Sequence, residues 1–173
     1  MEGPRRRSYK VANYKVIGYS LIMKYDLLTL KKKQLDAYRP LSETLTRNLE
    51  EWFRIELTYT SNAIEGNTLT RRETALVVEK GLTVGGKSLI EHLEATNHAQ
   101  ALDWIKCQIT RNPKDLKEED IFSLHHMILK GIDDENAGQY RRVPVRISGS
   151  SVILPNPLKV SSLMSDFLEW LQK

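Results

Sequence analysis

Tyr59-Thr60-Ser61-Asn62-Ala63-Ile64-Glu65-Gly66-Asn67-Thr68-Leu69-Thr70 reads as the end of one helix followed at once by the start of another. Gly66 can take the left-handed backbone conformation that stops a helix. Thr70 with Glu73 has the spacing of a capping box for the helix that follows. Glu65 therefore falls in a last turn, where the helix dipole is negative and a carboxylate is disfavoured. Ser61 lies one turn earlier on the same face. A glutamate so placed calls for a cation. The nearest basic residues, Arg71 and Arg72, open the next helix, so the spacing points to a cation from elsewhere.

The flanking sequence reads as mainly helical. Val16 to Tyr25 is a possible strand, and Lys31 to Tyr38 a short helix closed by Pro40. Ser42 caps a long helix. Its apolar residues Leu45, Leu49, Trp52, Phe53, Leu57, Ala63 and Ile64 recur at three and four positions, predicting one buried face. Thr70 to Lys80 is the next helix, stopped by Gly81. Ser88 and Glu91 form a second capping box and open a helix through Asn97, Ala101, Trp104 and Ile105. After Pro113, Asp115 and Glu118 are expected to cap a helix carrying Ile121, Leu124, Ile128 and Leu129 inward. Val143, Val145 and Ile147 then alternate with Pro144, Arg146 and Ser148, as in a half-exposed strand. Gly149-Ser150 can turn the chain and Val152-Ile153-Leu154 return it, a β-hairpin that Pro144 would confine to an edge or a free flap. Asn156-Pro157 opens a last helix, with Val160, Leu163, Met164, Phe167, Leu168 and Leu171 along one face.

Composition narrows the function classes. The 173 residues carry a net charge of +4 and are 40% hydrophobic, enough for a packed core. The basic runs Arg5-Arg6-Arg7 and Lys31-Lys32-Lys33 do not interleave with aromatics, so no nucleic-acid partner is expected. The single cysteine, Cys107, cannot form an internal disulfide and suits a reducing, cytoplasmic setting. No apolar run approaches the roughly 20 residues that span a bilayer, and no membrane partner is expected. His92, His98, His125 and His126 lack metal-ligand spacing, so no metal site is expected. Gly85-Gly86-Lys87-Ser88 echoes a phosphate-binding loop, but that motif's first glycine would fall at Lys80.

Ser61-x-x-x-Glu65-Gly66 resembles the inhibitory motif of Fic-domain proteins, most of which transfer AMP from ATP to a protein hydroxyl. The resemblance continues through Gly85 to Leu89, Asn97 and Ala101, Leu124 to Leu129, and Asn136-Ala137-Gly138-Gln139-Tyr140-Arg141 into Val143 to Pro157. It covers about Leu41 to the C-terminus. It implies a mainly α fold, an incomplete Fic-like helical bundle with one β-hairpin flap. Residues 1–40 would form an N-terminal extension of unclear structure, and 41–173 a partial Fic domain. By resemblance Ser61, Glu65 and Gly66 are autoinhibitory, the glutamate pairing with an arginine that would otherwise hold the ATP γ-phosphate. Val145, Arg146, Ile147 and Ser148 would be the flap run that faces nucleotide and docks a protein target.

The family's catalytic loop, His-Pro-Phe-x-Asp/Glu-Gly-Asn-Gly-Arg, has no counterpart among these residues. No catalytic residue is therefore assigned. The complete family member uses ATP and magnesium, and neither is expected to bind tightly to this chain alone. The first reading is a truncated protein adenylyltransferase, inactive by itself, from a stop codon or a split gene. It would form a homo-oligomer or join a complementing Fic fragment. The alternatives are a non-enzymatic, antitoxin-like regulator that binds and inhibits another Fic protein, and an unrelated helical interaction domain.

Overall fold

The structure is a computed structural model that describes the backbone of residues 14–172 and, Pro113 apart, the side chains of residues 25–172. Among the described residues six helices run in chain order: α1 (Tyr14–Asp36), α2 (Glu43–Ile64), α3 (Arg71–Lys80), α4 (Leu89–Gln108), α5 (Glu118–Leu129) and α6 (Val160–Leu171), with single 3-10 turns at Pro113–Asp115 and Pro157–Lys159. The chain divides into two compact units, Met1–Arg47 and Asn48–Lys173, with the boundary inside α2.

In the first unit the strand expected at Val16 to Tyr25 is absent. Those residues lie within α1, which continues through the short helix expected from Lys31 and ends at Asp36. A strand needs a partner to satisfy its backbone, whereas a helix satisfies its own. Near the end of α1, Lys32 pairs with Asp36 at 2.5 Å.

The second unit is held by local capping and a small core. Thr70 and Ser88 accept hydrogen bonds from the backbone of Glu73 and Glu91, and both glutamates reach back, so both expected capping boxes are present. Gly81 ends α3 in the left-handed conformation, φ +63°. The core is Leu69, Val77 and Ala95, with Val78 and Val84 against it. Ala95, Ala99 and Ala101 leave little side chain on α4, so neighbouring helices can approach closely. Asn97 is buried at 5% exposure and donates through Nδ2 to the carbonyls of Ile128 (3.1 Å) and Lys130 (2.8 Å). It thereby satisfies carbonyls that the end of α5 leaves without helical partners.

Helix α5 is capped differently from expectation. Lys117 is the N-cap, not Asp115, which lies in the preceding 3-10 turn. Asp120 accepts from the Lys117 backbone N–H at 2.9 Å and from Nη1 and Nη2 of Arg111, at 2.9 and 3.2 Å. The Arg111 hydrogen bonds lead in holding the Asp120 carboxyl below the usual carboxylate range, with the Lys117 backbone bond next. The loop after α5 folds back on it. Tyr140 donates its hydroxyl to Glu118 and stacks edge-on against Phe122, with centroids 4.8 Å apart. His125 Nδ1 accepts from the Gly138 N–H at 3.1 Å.

Two further expectations fail. The apolar stripe of α2 is not buried: Leu45, Leu49, Trp52, Phe53 and Leu57 are all exposed, and Ile64 is 82% exposed. The buried α2 residues are Ile55 and Thr58. The side of α2 that meets α4 is instead a polar seam. Glu50 pairs with Lys106 at 2.5 Å, Arg54 with Asp103 through two 2.8 Å bonds, and Thr58 Oγ1 with His98 Nδ1 at 3.1 Å. Periodicity announces an amphipathic helix but does not say what covers its apolar face.

The β-hairpin flap is also absent, and with it that part of the expected fold class: the described residues contain no β-strand. Residues 141–156 form an irregular loop with one turn, where Ser150 N–H donates to the Ile147 carbonyl at 3.1 Å and Gly149 has φ +74°. Arg141 ties the loop's base by donating to the carbonyls of Val143 and Pro155. Pro144 and Pro155 lack N–H donors, and an isolated two-stranded ribbon is marginal at best in water. Val143, Val145, Ile147, Val152 and Ile153 are all exposed, so no packed face compensates.

Candidate functional site

Glu65 occupies the C-cap of α2. The turn beyond it is a Schellman motif: Gly66 N–H donates to the Ala63 carbonyl at 3.2 Å and Asn67 N–H to the Asn62 carbonyl at 3.0 Å. Gly66 has φ +98°, which a side chain would strain. The Glu65 side chain is exposed and makes no hydrogen bond or ion pair among the described residues. Ser61, half-buried one turn earlier, makes no side-chain hydrogen bond either; its carbonyl accepts from Glu65 N–H at 3.4 Å. Arg71, nearby in sequence, is engaged elsewhere. Its Nε lies 2.5 Å from Glu56 and its guanidinium sits over the Trp52 ring at 5.8 Å. Asn62 Nδ2 is buried without a hydrogen-bond partner among the described residues.

Beyond Gly66 the chain is clamped to the start of α4. Asn67 Nδ2 donates to the Glu91 carbonyl at 3.0 Å and to Glu94 Oε2 at 2.7 Å, while Asn67 Oδ1 accepts from Leu69 N–H at 2.9 Å. Glu91 Oε1 accepts from Thr68 N–H at 2.9 Å and Thr68 Oγ1 at 2.5 Å. Its Oε2 accepts from Ser88 N–H at 2.8 Å and Ser88 Oγ at 3.0 Å. Lys87 Nζ closes the cluster on Thr68, at 2.5 Å to the carbonyl and 2.9 Å to Oγ1. Four donors to one carboxylate favour its charged form. The Thr68 hydroxyl leads and the Ser88 backbone follows in lowering the Glu91 pKa to about 2. His98 shifts the other way for its type of charge: partial burial against α2 pushes its imidazole pKa down.

The second set of sequence-predicted residues, Val145, Arg146, Ile147 and Ser148, lies on the exposed 141–156 loop. No hydrogen bond or ion pair among the described residues joins this loop to Ser61, Glu65 or Gly66. The Asn67, Thr68, Lys87 and Glu91 clamp was not foreseen. Its contacts span 19 to 27 residues, and only the local pairing of Ser88 with Glu91 was visible in sequence. Among the described residues no group of three or more His, Cys, Asp or Glu could hold a metal ion, and no helix is long and apolar enough to cross a membrane.

No family model matches the chain. The helical arrangement matches that of a Fic-domain signalling protein from Bacteroides thetaiotaomicron, with a TM-score of 0.71 and 28% identity over 80% of this chain and 53% of that one. Fic-1 from C. elegans superposes on 95% of this chain with a TM-score of 0.69 and 24% identity, over 50% of its own chain. The described helices are thus those of a mainly helical Fic fold. In sequence the chain is 30% identical to a protein adenylyltransferase Fic from Culex quinquefasciatus over 148 residues, 86% of this chain. It is 32% identical over 144 residues to the protein of that name from Drosophila sechellia. Along most of its length this chain is similar to proteins named protein adenylyltransferase Fic. It spans only 29% and 28% of the length of these two relatives.

Proposed function

We propose that this chain is the regulatory portion of a Fic-type protein adenylyltransferase, with Glu65 as the carboxylate that holds the enzyme off. The observation that carries the reading is the geometry of the α2 end. A Schellman turn at Gly66 exposes the Glu65 carboxylate without a partner among the described residues, and Arg71, near it in sequence, is taken by Glu56. A lone carboxylate on a fixed helix end is suited to a bidentate pair with a guanidinium. An arginine so held would be withdrawn from the ATP γ-phosphate, and AMP transfer would stall.

The arginine, the general base and the magnesium-binding carboxylate would come from residues outside these 173, which contain no His-Pro-Phe string. The chain by itself therefore does not transfer AMP. The exposed loop carrying Val145, Arg146, Ile147 and Ser148 would receive an extended segment of the target protein, its unpaired backbone groups being free to bond. Arg146 would face the nucleotide.

The test supplies the remainder of a Fic fold, fused or as a separate polypeptide. The source is the part of the B. thetaiotaomicron protein that the similarity leaves uncovered. Labelled ATP, magnesium and the purified proteins should give weak labelling with Glu65 present and strong labelling with Glu65→Gly. Glu65→Asp, one methylene shorter, should fall between them. Equal labelling with glutamate or glycine at this position would return Glu65 to the status of a solvated helix end.

A further inference from the structure

We propose that Asn67 is a positioning residue for Glu65: with Thr68 it locks the Glu65–Gly66 turn to the first turn of α4, so that α4 sets the direction of the carboxylate. This deepens the reading of Glu65 given above and rests on it for its functional consequence.

Gly66 itself is not wedged in place by its neighbours. A Cβ built on Gly66 would meet no atom within 4 Å. The two Schellman hydrogen bonds fix the local backbone, but they belong to α2 itself and would travel with it. The seam with α4 fixes α2 further back, at Glu50, Arg54 and Thr58; at the turn itself the side chains that follow make the connection. Asn67 uses its amide on both sides, donating to the Glu91 carbonyl and Glu94 carboxylate and accepting from Leu69 N–H. Aspartate could not donate, and a longer or shorter side chain would lose the reach to one partner. Thr68 adds two donors to Glu91, the same carboxylate that caps α4 through Ser88. Lys87 bridges back to Thr68. One carboxylate is thus the cap of α4 and the anchor of the α2 end. Displacing the turn breaks both at once.

Amide hydrogen exchange on the chain as it stands tests the lock. Asn67→Ala should speed exchange at the Gly66, Asn67 and Thr68 amides by about tenfold, while the core amides of Ala95 and Ala99 change less than about twofold. Asn67→Asp should do the same, because it sets a carboxylate 2.7 Å from that of Glu94. Adding Glu94→Gln to Asn67→Asp exchanges amide and carboxylate across that contact but leaves the Glu91 carbonyl without its donor, so it should slow exchange at the turn part of the way back. Unchanged exchange in Asn67→Ala would overturn the proposal, as would equal acceleration in the core or a failure of the paired swap to slow exchange. In the complemented enzyme, Asn67→Ala should raise AMP transfer and add nothing in the Glu65→Gly background. Transfer raised by Glu65→Gly but unmoved by Asn67→Ala would also overturn it. If Glu65→Gly itself leaves transfer unchanged while the exchange pattern holds, the inhibitory reading fails and the structural lock stands.

Discussion

Asn97→Ala tests whether the α4–α5 junction rests on one side chain. The amide Nδ2 serves two carbonyls, those of Ile128 at 3.1 Å and Lys130 at 2.8 Å, from a position that is 5% exposed. Alanine leaves both acceptors without their donor. A buried acceptor so orphaned costs about 1–3 kcal/mol. Ile128 and Lys130 are both exposed residues, so water recovers part of the loss at each carbonyl, and the pair together costs about 2 kcal/mol. Alanine recovers about 0.5 kcal/mol through better helix propensity than asparagine. The net expectation is a loss of about 1.5 kcal/mol. For a domain of this size that lowers the thermal midpoint by about 6 °C. Circular dichroism at 222 nm, followed through a thermal ramp and a urea titration, reads both quantities. Asn97→Asp should lose at least as much, because it keeps the shape, removes the donor and sets a buried carboxylate against carbonyl oxygens. A loss below about 0.5 kcal/mol in both variants would refute the reasoning, since it would mean that water reaches this junction freely.

Three further outcomes follow from the same geometry. The folded-state pKa of Glu91 is depressed to about 2, so its contribution is present above the ordinary carboxylate value and fades as pH falls from about 4.5 toward 2; Glu91→Gln should flatten that acid limb in a stability-versus-pH series. Tyr140 is shifted upward to about 12 by burial first and the Glu118 contact second, so its contribution is complete below pH 10 and declines as pH rises toward 12; Tyr140→Phe should remove the latest component of the tyrosinate absorbance titration. Leu163, Phe167 and Trp170 are exposed along α6, the last two stacked 6.0 Å apart, so the chain should associate at high concentration; Trp170→Ser should lower the scattering intensity, and a monodisperse wild-type monomer would contradict this.

What could be read in the sequence was what a few neighbouring residues decide. Thr70 with Glu73, Ser88 with Glu91, Gly66 and Gly81 each act within one turn, and the structure has all four as expected. The helical course from Ser42 to Leu171 followed from the same signals. The failures were questions of partnership. Leu49, Trp52, Phe53 and Leu57 have helical periodicity, yet the seam with α4 runs through Glu50, Arg54 and Thr58, residues outside that stripe. Val143 to Leu154 alternates like a strand, but alternation does not supply a second sheet edge or a covering layer. Asn67 stood in the quoted segment, and its role depends on Glu91 and Glu94, which only the fold brings near. The two halves of the candidate site differ in the same way. The Glu65 turn was legible because its backbone is decided locally, and the 145–148 run was not because its conformation is decided by what lies against it.

The polar seam between α2 and α4 carries an address as well as an attachment. The order along α2 is acid, base, hydroxyl at Glu50, Arg54 and Thr58. The antiparallel order along α4 is base, acid, imidazole at Lys106, Asp103 and His98. Slide α2 one turn in one direction and Glu50 comes opposite Asp103. Slide it the other way and Arg54 comes opposite Lys106. Each misplacement sets like charges together, which an apolar seam of interchangeable leucines would not do. The helix therefore has one axial setting that it can read from its neighbour, and Glu65, fifteen residues beyond Glu50, inherits that setting as a fixed height along the bundle.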